Sequence, residues 1–189
     1  MKKALILIAA VLSFTTQSQA VKLGADTQSL ALNGGIDFES AAGVNEHLRV
    51  GYGYFIMDYF EVGGVINVQH NDAVTTFGFG PKAEYNFELD LPVVVPFVGA
   101  AITFQHTKVV NSTMFVNSTP HQIETKQDSD VKNALNLDVY GGLKFFVTDQ
   151  FAITTDLVIS AATSDVYERR DGATSKTNAR IELGLSYYF

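Results

Sequence analysis

The chain has 189 residues with 13 basic and 20 acidic side chains, a formal net charge of −7 at pH 7, and no cysteine. This acidic balance argues against nucleic acid as a partner, and the missing cysteine excludes disulfide bonds and thiolate metal sites. The length suits a single domain.

The N-terminus has the pattern of a cleaved secretory signal. Two lysines near the start precede a short apolar run over residues 4–14, and Ser18 and Ala20 supply small residues at the spacing that a signal peptidase needs. The run is shorter than the roughly 20 apolar residues of a spanning helix. We therefore predict a cleaved signal peptide over residues 1–20 and one mature domain over residues 21–189, with an uncleaved anchor as the alternative.

Beyond residue 20 the sequence alternates between apolar and polar residues in eight segments separated by turn-like residues. A period of two is typical of β-strands. Strands that cross a membrane must close into a barrel, because hydrocarbon satisfies no open sheet edge. We therefore predict an all-β fold, an eight-stranded antiparallel closed transmembrane β-barrel. The predicted lipid-facing positions run at every second residue from Leu30, Leu48, Phe60, Phe77, Val98, Leu135, Phe151 and Ala179.

Charged residues fall on the opposite faces of these strands, away from the lipid-facing positions. An outward Arg or Lys near the bilayer midplane would cost about 2 to 4 kcal/mol. Inward glycines such as Gly53, Gly99 and Gly184 provide room for long side chains, since an eight-stranded barrel is just wide enough for side chains to fill it. The predicted charge network of the lumen comprises Asp37, Arg49, Glu61, Lys82, Glu84, Asp138, Lys144, Asp156, Arg180 and Glu182.

This charge network has two interpretations. Mutual pairing would fill and fix the barrel, because unpaired charges in a narrow lumen are costly. Alternatively, the charges would gate a narrow ion path. The alternation also permits a secreted, lipocalin-like barrel with the opposite orientation, in which apolar residues fill the inside and charges face water. That arrangement would overpack the centre with Phe and Tyr, so we favour charges inside.

Pro81 lies in the middle of the predicted fourth strand. Proline has no N–H to donate to a neighbouring strand, and a closed barrel has no free edge at which this loss is tolerated. We expect a β-bulge at Gly80-Pro81. Such a bulge would insert one extra residue into the fourth strand and shift its register.

The lengths of the connections predict the orientation of the barrel. Those near residues 56–59, 87–92 and 147–150 are short and are expected to face the periplasm, so the longer ones face outside. The third outer connection, residues 106–132, is rich in β-branched residues, and we expect the fifth and sixth strands to continue above the membrane as a ribbon. The fourth, residues 162–176, carries mixed charge and is expected to be solvated.

The apolar tip of the third outer connection is the candidate partner site. Met114, Phe115 and Val116 lie between two Asn-Ser-Thr repeats. An exposed ribbon edge can accept a strand from a partner, and an exposed apolar patch can dock one. The alternative is that the tip packs on neighbouring loops or touches lipopolysaccharide.

Four histidines, His47, His70, His106 and His121, fall at or beyond the predicted extracellular rim. The ordinary explanation is that they are solvated loop residues. A metal site built from His47, His70 and His106 and catalysis at the rim are the alternatives. None of the four lies in a recognisable catalytic motif, so we predict no enzyme activity, no cofactor and no metal site.

The C-terminal segment, residues 179–189, has an apolar residue at every odd position and closes on Phe189. With the signal pattern, the eight alternating strands and the short inner and long outer connections, it resembles the small OmpA/OmpX-like outer-membrane β-barrel family over essentially the whole mature chain. Residues 51–55 and 96–100 look like strands of that family. The resemblance implies a bacterial outer-membrane location and a role for Tyr187 and Phe189 in the signal read by the barrel-insertion machinery.

The expected protein is a monomer embedded among outer-membrane lipid and lipopolysaccharide. Its expected role is non-enzymatic: it presents its outer loops for surface interaction, adhesion or envelope integrity. A small low-conductance channel is the first alternative, and a rim enzyme acting on envelope lipid is the second.

Overall fold

The computed structural model of the chain describes residues 23–37, 46–70, 74–89, 91, 93–116, 123–168 and 174–189. The predicted signal peptide, residues 1–20, lies outside them. None of the described segments forms a helix long and apolar enough to cross a membrane. The described strands are β1 (Gln28–Asp37), β2 (Glu46–Met57), β3 (Phe60–His70), β4 (Val74–Asn86), β5 (Val94–Val116), β6 (Ile123–Thr148), β7 (Phe151–Ala162), β8 (Tyr167–Glu168), β9 (Thr174–Ser175) and β10 (Thr177–Tyr188).

Eight of these strands form one closed barrel in the order β1-β10-β7-β6-β5-β4-β3-β2, and β8 and β9 form a separate two-stranded sheet. Every neighbouring pair is antiparallel, and β1 meets β10 from Ser29↔Tyr188 to Asp37↔Arg180, which closes the cylinder. A closed barrel leaves no unpaired edge along its wall, as a membrane requires. The predicted fold class is confirmed.

The outer surface of the barrel is a belt of exposed apolar side chains. Leu32, Ile102 and Leu183 are each about half exposed, while their neighbours along the strands face inward. Aromatic rings add to this belt, with ring centroids 6.3 Å apart for Phe79 and Phe104 and 5.7 Å apart for Tyr187 and Phe189. The apolar side chains therefore face outward and the charges inward, so the inverted, lipocalin-like arrangement is excluded.

Two inner hairpins share one design. The turn between β2 and β3 follows a register shift between Phe55 and Met57, and the turn between β6 and β7 follows one between Phe146 and Thr148. The two sequences share the spacing F-x-x-D-x-F, with F-I-M-D-Y-F at 55–60 and F-V-T-D-Q-F at 146–151. A one-residue bulge beside a tight turn increases the local twist, which helps the strands to coil around the cylinder.

The bulge predicted at Gly80-Pro81 is wrong. Phe79 pairs with Phe104 and Lys82 pairs with Ala101, so the two strands have equal numbers of residues between these pairs. A Cβ added to Gly80 would collide with the carbonyl oxygen of Ile102. The bare glycine therefore lets β5 approach closely, and β4 passes the proline without an inserted residue.

The β5–β6 pair extends far beyond the barrel wall. It runs from Val94↔Phe145 to Val116↔Ile123, whereas β4 follows β5 only as far as Val109. On the other side, β7 follows β6 only from Asn136 onward. The predicted outer ribbon is therefore confirmed at the level of the backbone. The side chains of Met114, Phe115 and Val116 lie outside the described part of the structure.

Candidate functional site in the barrel lumen

The inner end of the lumen is closed by a cluster of apolar side chains, here called the floor. Leu23, Phe55, Phe146 and Tyr188 are all at most 5% exposed and pack together with Val95 and Ala152. The ring centroids of Phe146 and Tyr188 lie 5.3 Å apart. Leu23 is held beneath the barrel by its carbonyl, which accepts a hydrogen bond of 2.8 Å from the amide of Tyr59.

Two lysine–glutamate pairs lie above the floor. Lys82 Nζ is 2.5 Å from Glu61 Oε1, and Lys144 Nζ is 2.5 Å from Glu84 Oε1. The Ser29 hydroxyl donates a second hydrogen bond to Glu61 at 2.8 Å. Each lysine therefore contacts a single carboxylate, as suits a compact ammonium charge.

An arginine network occupies the outer half of the lumen. Arg49 reaches Asp138 Oδ2 at 2.8 Å and Glu182 Oε2 at 3.5 Å, and Arg180 Nε lies 2.7 Å from Glu182 Oε1. Asp138 also accepts hydrogen bonds from Asn136 at 2.8 Å and from Ser160 at 2.5 Å. Both arginines thus bridge fully buried carboxylates, which the fork of the guanidinium makes possible.

The predicted lumen residues are placed as follows. Eight of them form the two pairs and the arginine network just described. Asp156 is also buried, but it makes no ion pair among the described residues. The backbone of Asp37 pairs with that of Arg180, and its side chain is outside the described set.

The histidines do not converge. His47 is not a solvated loop residue as predicted: its side chain is 8% exposed, with Nδ1 3.4 Å from Glu182 Oε1. It falls on the inward phase of β2, where Gly35 leaves space for its ring. His70 contacts Thr75 and His106 contacts Asn133, both on the surface. His121 is outside the described residues, within which no three His, Asp or Glu side chains group as metal ligands.

Residues 163–168 of the fourth outer connection fold back over the mouth of the barrel. Val166 and Tyr167 are each 6% exposed and pack against Ala134 and Ala162. The Tyr167 hydroxyl donates a hydrogen bond of 2.7 Å to Asn136 Oδ1, and burial raises the pKa of Tyr167 to about 12. This segment, which we call the lid, departs from the prediction of a solvated loop. Its one sequence signal is the Val-Tyr pair within an otherwise charged connection.

These features define a class of protein: a membrane-spanning β-barrel whose lumen is filled by ion pairs and covered at both ends. Solved structures of the same class are similar. The N-terminal β-barrel domain of Pseudomonas aeruginosa OprF aligns with a TM-score of 0.57 and 19% identity over 88% of this chain and 99% of that one. Neisserial surface protein A aligns with a TM-score of 0.55 and 13% identity over 86% and 95%.

A major outer membrane protein from Thermus thermophilus is similar as well, with a TM-score of 0.50 and 14% identity over 86% of this chain and 99% of that one. No protein-family model matches the chain, and no curated protein matches it significantly. The chain has the fold of the small outer-membrane β-barrels that its sequence resembles. Its apolar belt fits the predicted location in the bacterial outer membrane.

Proposed function

We propose that the chain is a monomeric, non-enzymatic scaffold of the outer membrane that presents the β5–β6 ribbon to partners outside the cell. The observation that carries this proposal is a contrast within the barrel. The lumen is covered at both ends, whereas the ribbon continues past the wall to Val116↔Ile123. The barrel then serves as an anchor, and the ribbon carries the interaction.

The filled lumen favours a scaffold over a channel. A solute would have to displace the floor around Phe55 and Tyr188, separate the ion pairs and lift Tyr167 from Asn136. Separating a buried ion pair without replacing its partner costs about 3 to 5 kcal/mol. Several such steps in series would keep any open state rare.

The ribbon offers backbone groups for recognition. Beyond Val109, β5 has β6 as its sole strand neighbour among the described residues, so no described strand pairs with the N–H and C=O groups of its other edge. An extended segment of a partner can add to such an edge as a further strand. In the sequence of β6, charged residues at 124, 126, 128 and 130 alternate with uncharged ones.

A trimmed variant tests the scaffold directly. Val109 and Asp130 are cross-strand partners, so replacing residues 110–129 by a two-residue Asn-Gly turn removes the ribbon tip at a natural closing point. Cells that display the full chain are expected to bind a surface coated with extracellular-matrix extract, or to bind other cells. The trimmed variant should lose this binding and keep the heat-modifiable gel mobility of a folded barrel. Equal binding by both proteins would refute the proposal.

A second variant separates the two ways in which the ribbon could bind. Met114→Ser, Phe115→Ser and Val116→Ser together retain the length of the ribbon but remove its apolar tip. Strand addition along the edge predicts that binding survives in this variant, whereas docking of the tip predicts that binding is lost. Either result supports a binding ribbon and identifies the part that recognises the partner.

The channel and the rim enzyme each have their own measurement. Steady single-channel conductance of the purified protein in a planar bilayer, abolished or enlarged in Arg180→Ala, would favour the channel. Lipid A whose mass changes only when the protein is expressed would favour the enzyme. The scaffold predicts neither signal.

The terminal aromatics are proposed to guide assembly. Tyr187 and Phe189 are 43% and 53% exposed on the outer face of the barrel, where an insertion machinery can contact them. Phe189→Ala is expected to lower the amount of folded protein in the outer membrane, while refolding of the purified variant in detergent stays unchanged. Unaltered assembly in cells would contradict this role.

A further inference from the structure

An apolar groove of about 580 Å³ lies on the outer face of the barrel, where β2, β3 and β4 adjoin. Gly64 and Pro81, which are cross-strand partners at exposed positions, form its base. Tyr52 flanks the groove on β2, while Ile66 and Phe79 protrude beside it toward the outer end of the barrel, and each of the three is about half exposed. Large side chains are therefore missing at two neighbouring outward positions of the wall.

The backbone beneath the groove is interrupted at the same place. β4 pairs with β5 at Phe79↔Phe104 and again at Lys82↔Ala101, but not at Gly80 and Pro81 between these pairs. Proline has no N–H to donate to the neighbouring strand, and hydrocarbon supplies no replacement donor. The groove therefore overlies a gap in the β4–β5 ladder, where packing contacts from outside would support the wall.

The length and depth of the groove match one leaflet of a membrane. It extends along β4 from Phe77 to Pro81, four residues apart, which corresponds to about 13 Å along the strand. The hydrocarbon core of a bilayer is about 30 Å thick, so one leaflet contributes about 15 Å. Phe77 lies toward the outer end of β4 and Pro81 near its middle. The groove therefore spans the outer half of the apolar belt.

We propose that this groove binds one saturated acyl chain of a lipid in the outer leaflet. The groove is continuous with the apolar belt, so a lipid chain reaches it without leaving hydrocarbon. Lipid chains and apolar side chains are alike in polarity, so van der Waals packing against small residues decides which chain is held. A straight chain contacts the base at Gly64 and Pro81 along the whole groove, whereas a cis double bond bends the chain against Ile66 or Phe79. This inference goes beyond the scaffold role and does not depend on it.

A second copy of the chain is the other apolar occupant that the membrane offers. Two copies related by a two-fold axis present the same surface to each other. Such a pair would bring two depressions face to face, and the gap between them would lose packing contacts. A single acyl chain fills the depression without this mismatch, so it fits the groove better than a second barrel does.

The test uses tryptophan fluorescence, because the chain contains no tryptophan of its own. Phe79→Trp places a reporter at the groove, and Leu183→Trp places one at an exposed position of β10, four strands away on the opposite wall. Each variant is reconstituted in vesicles of phosphatidylcholine with brominated acyl chains, which quench nearby tryptophan. Unlabelled phosphatidylcholine with saturated or with cis-unsaturated chains then replaces increasing fractions of the brominated lipid, above the melting temperature of every lipid, and the relief of quenching is measured.

At Phe79→Trp, saturated lipid is expected to relieve quenching about two- to fivefold more effectively per mole than unsaturated lipid, as a few additional van der Waals contacts would produce. At Leu183→Trp the two lipids should be equally effective. Adding Gly64→Leu to Phe79→Trp fills the groove and should abolish the preference. Adding Ala100→Leu instead places the same side chain at an exposed position of β5 outside the groove, and the preference should remain.

Equal relief by both lipids at the groove reporter would overturn the proposal. The same would follow from an equally strong preference at Leu183→Trp, which would make it a property of the whole belt, or from a preference that persists with Gly64→Leu. Quenching at Phe79→Trp that weakens as the ratio of protein to lipid rises would show that a second copy covers the groove. The comparison of the two reporters needs only exposed apolar substitutions, so it decides the matter even if Gly64→Leu does not fold.

Discussion

The two halves of the lumen pair their buried charges in different ways. In the inner half, each lysine meets one glutamate, and Lys144 also lies 5.0 Å from the centre of the Phe97 ring and 5.4 Å from that of Tyr188. In the outer half, two arginines share Asp138 and Glu182. The inner charges are therefore two separate pairs, whereas the outer charges form a single connected unit.

This difference predicts how each half responds to mutation. A separate pair can be replaced as a pair, because removing both charges leaves neither uncompensated. A connected network has no such exchangeable unit, since every arginine serves two carboxylates. The outer half should therefore tolerate change less well, and the following experiments test this contrast in order of expected effect.

Arg180→Ala should produce the largest loss. It removes the guanidinium that contacts Glu182 at 2.7 Å and Ser160 at 2.7 Å, and Glu182 is fully buried. We expect the free energy of unfolding to fall by about 3 to 5 kcal/mol, measured by urea titration in lipid vesicles. Arg180→Lys keeps the charge but not the fork, and an intermediate loss is expected. A stable Arg180→Ala variant would show that the network contributes little to stability.

The Glu61–Lys82 pair provides the contrasting case. Lys82→Met alone leaves Glu61 buried with Ser29 as its remaining described hydrogen-bond partner, and a loss of about 3 kcal/mol is expected. Adding Glu61→Leu to Lys82→Met should restore stability to within about 1 kcal/mol of the wild type. The matched double variant Arg49→Met with Asp138→Leu should show no such recovery, because Arg180 and Glu182 lose a partner. Equal recovery in both double variants would contradict the proposed difference between the halves.

The faces of the strands could be predicted from the sequence, because alternation with a period of two assigns each residue to one side of the wall. The partners inside the lumen could not. Arg49 meets Asp138 across 89 positions of the chain. Which inward residues come to the same height depends on the tilt and stagger of the strands, and alternation carries no information about either.

Apolar side chains inside the barrel were the main omission of the sequence analysis. The alternation assigns Phe55 and Tyr188 to inward positions. Nothing in their local pattern distinguishes residues that close the end of the lumen from residues that line its wall. The lid was missed for a related reason, since Val166 and Tyr167 are two residues in a charged connection. In both cases the burial arises from contacts that the closed barrel creates, namely the packing with Leu23 and with Ala134.

A single added methyl group can test how tightly side chains pack at the centre of the lumen, where the two halves meet. A Cβ on Gly99 would lie 2.5 Å from the ring of Tyr140, which itself lies under Arg49 at 5.0 Å. Gly99→Ala should therefore push the ring against the arginine network and cost about 1 to 3 kcal/mol in unfolding free energy. Gly64→Ala is the control: the position is exposed, an added Cβ would meet the Gly80 carbonyl oxygen at an ordinary contact distance of 3.8 Å, and stability should change by at most about 0.5 kcal/mol.

A substitution in the lid should lower the free energy of unfolding by the smallest amount. Tyr167 extends the outer network, because it contacts Asn136, which in turn contacts Asp138. Tyr167→Phe removes one buried hydrogen bond and should cost about 1 kcal/mol at pH 8. The pKa of Tyr167 is raised from 10.0 to about 12, chiefly by burial, so the folded state holds this proton more tightly than the unfolded chain. Its stabilisation is present below pH 10 and is lost as the pH rises toward 12. Unfolding free energies measured across this range should fall more steeply for the wild type than for Tyr167→Phe, and parallel curves would mean that the hydroxyl is already exposed to solvent.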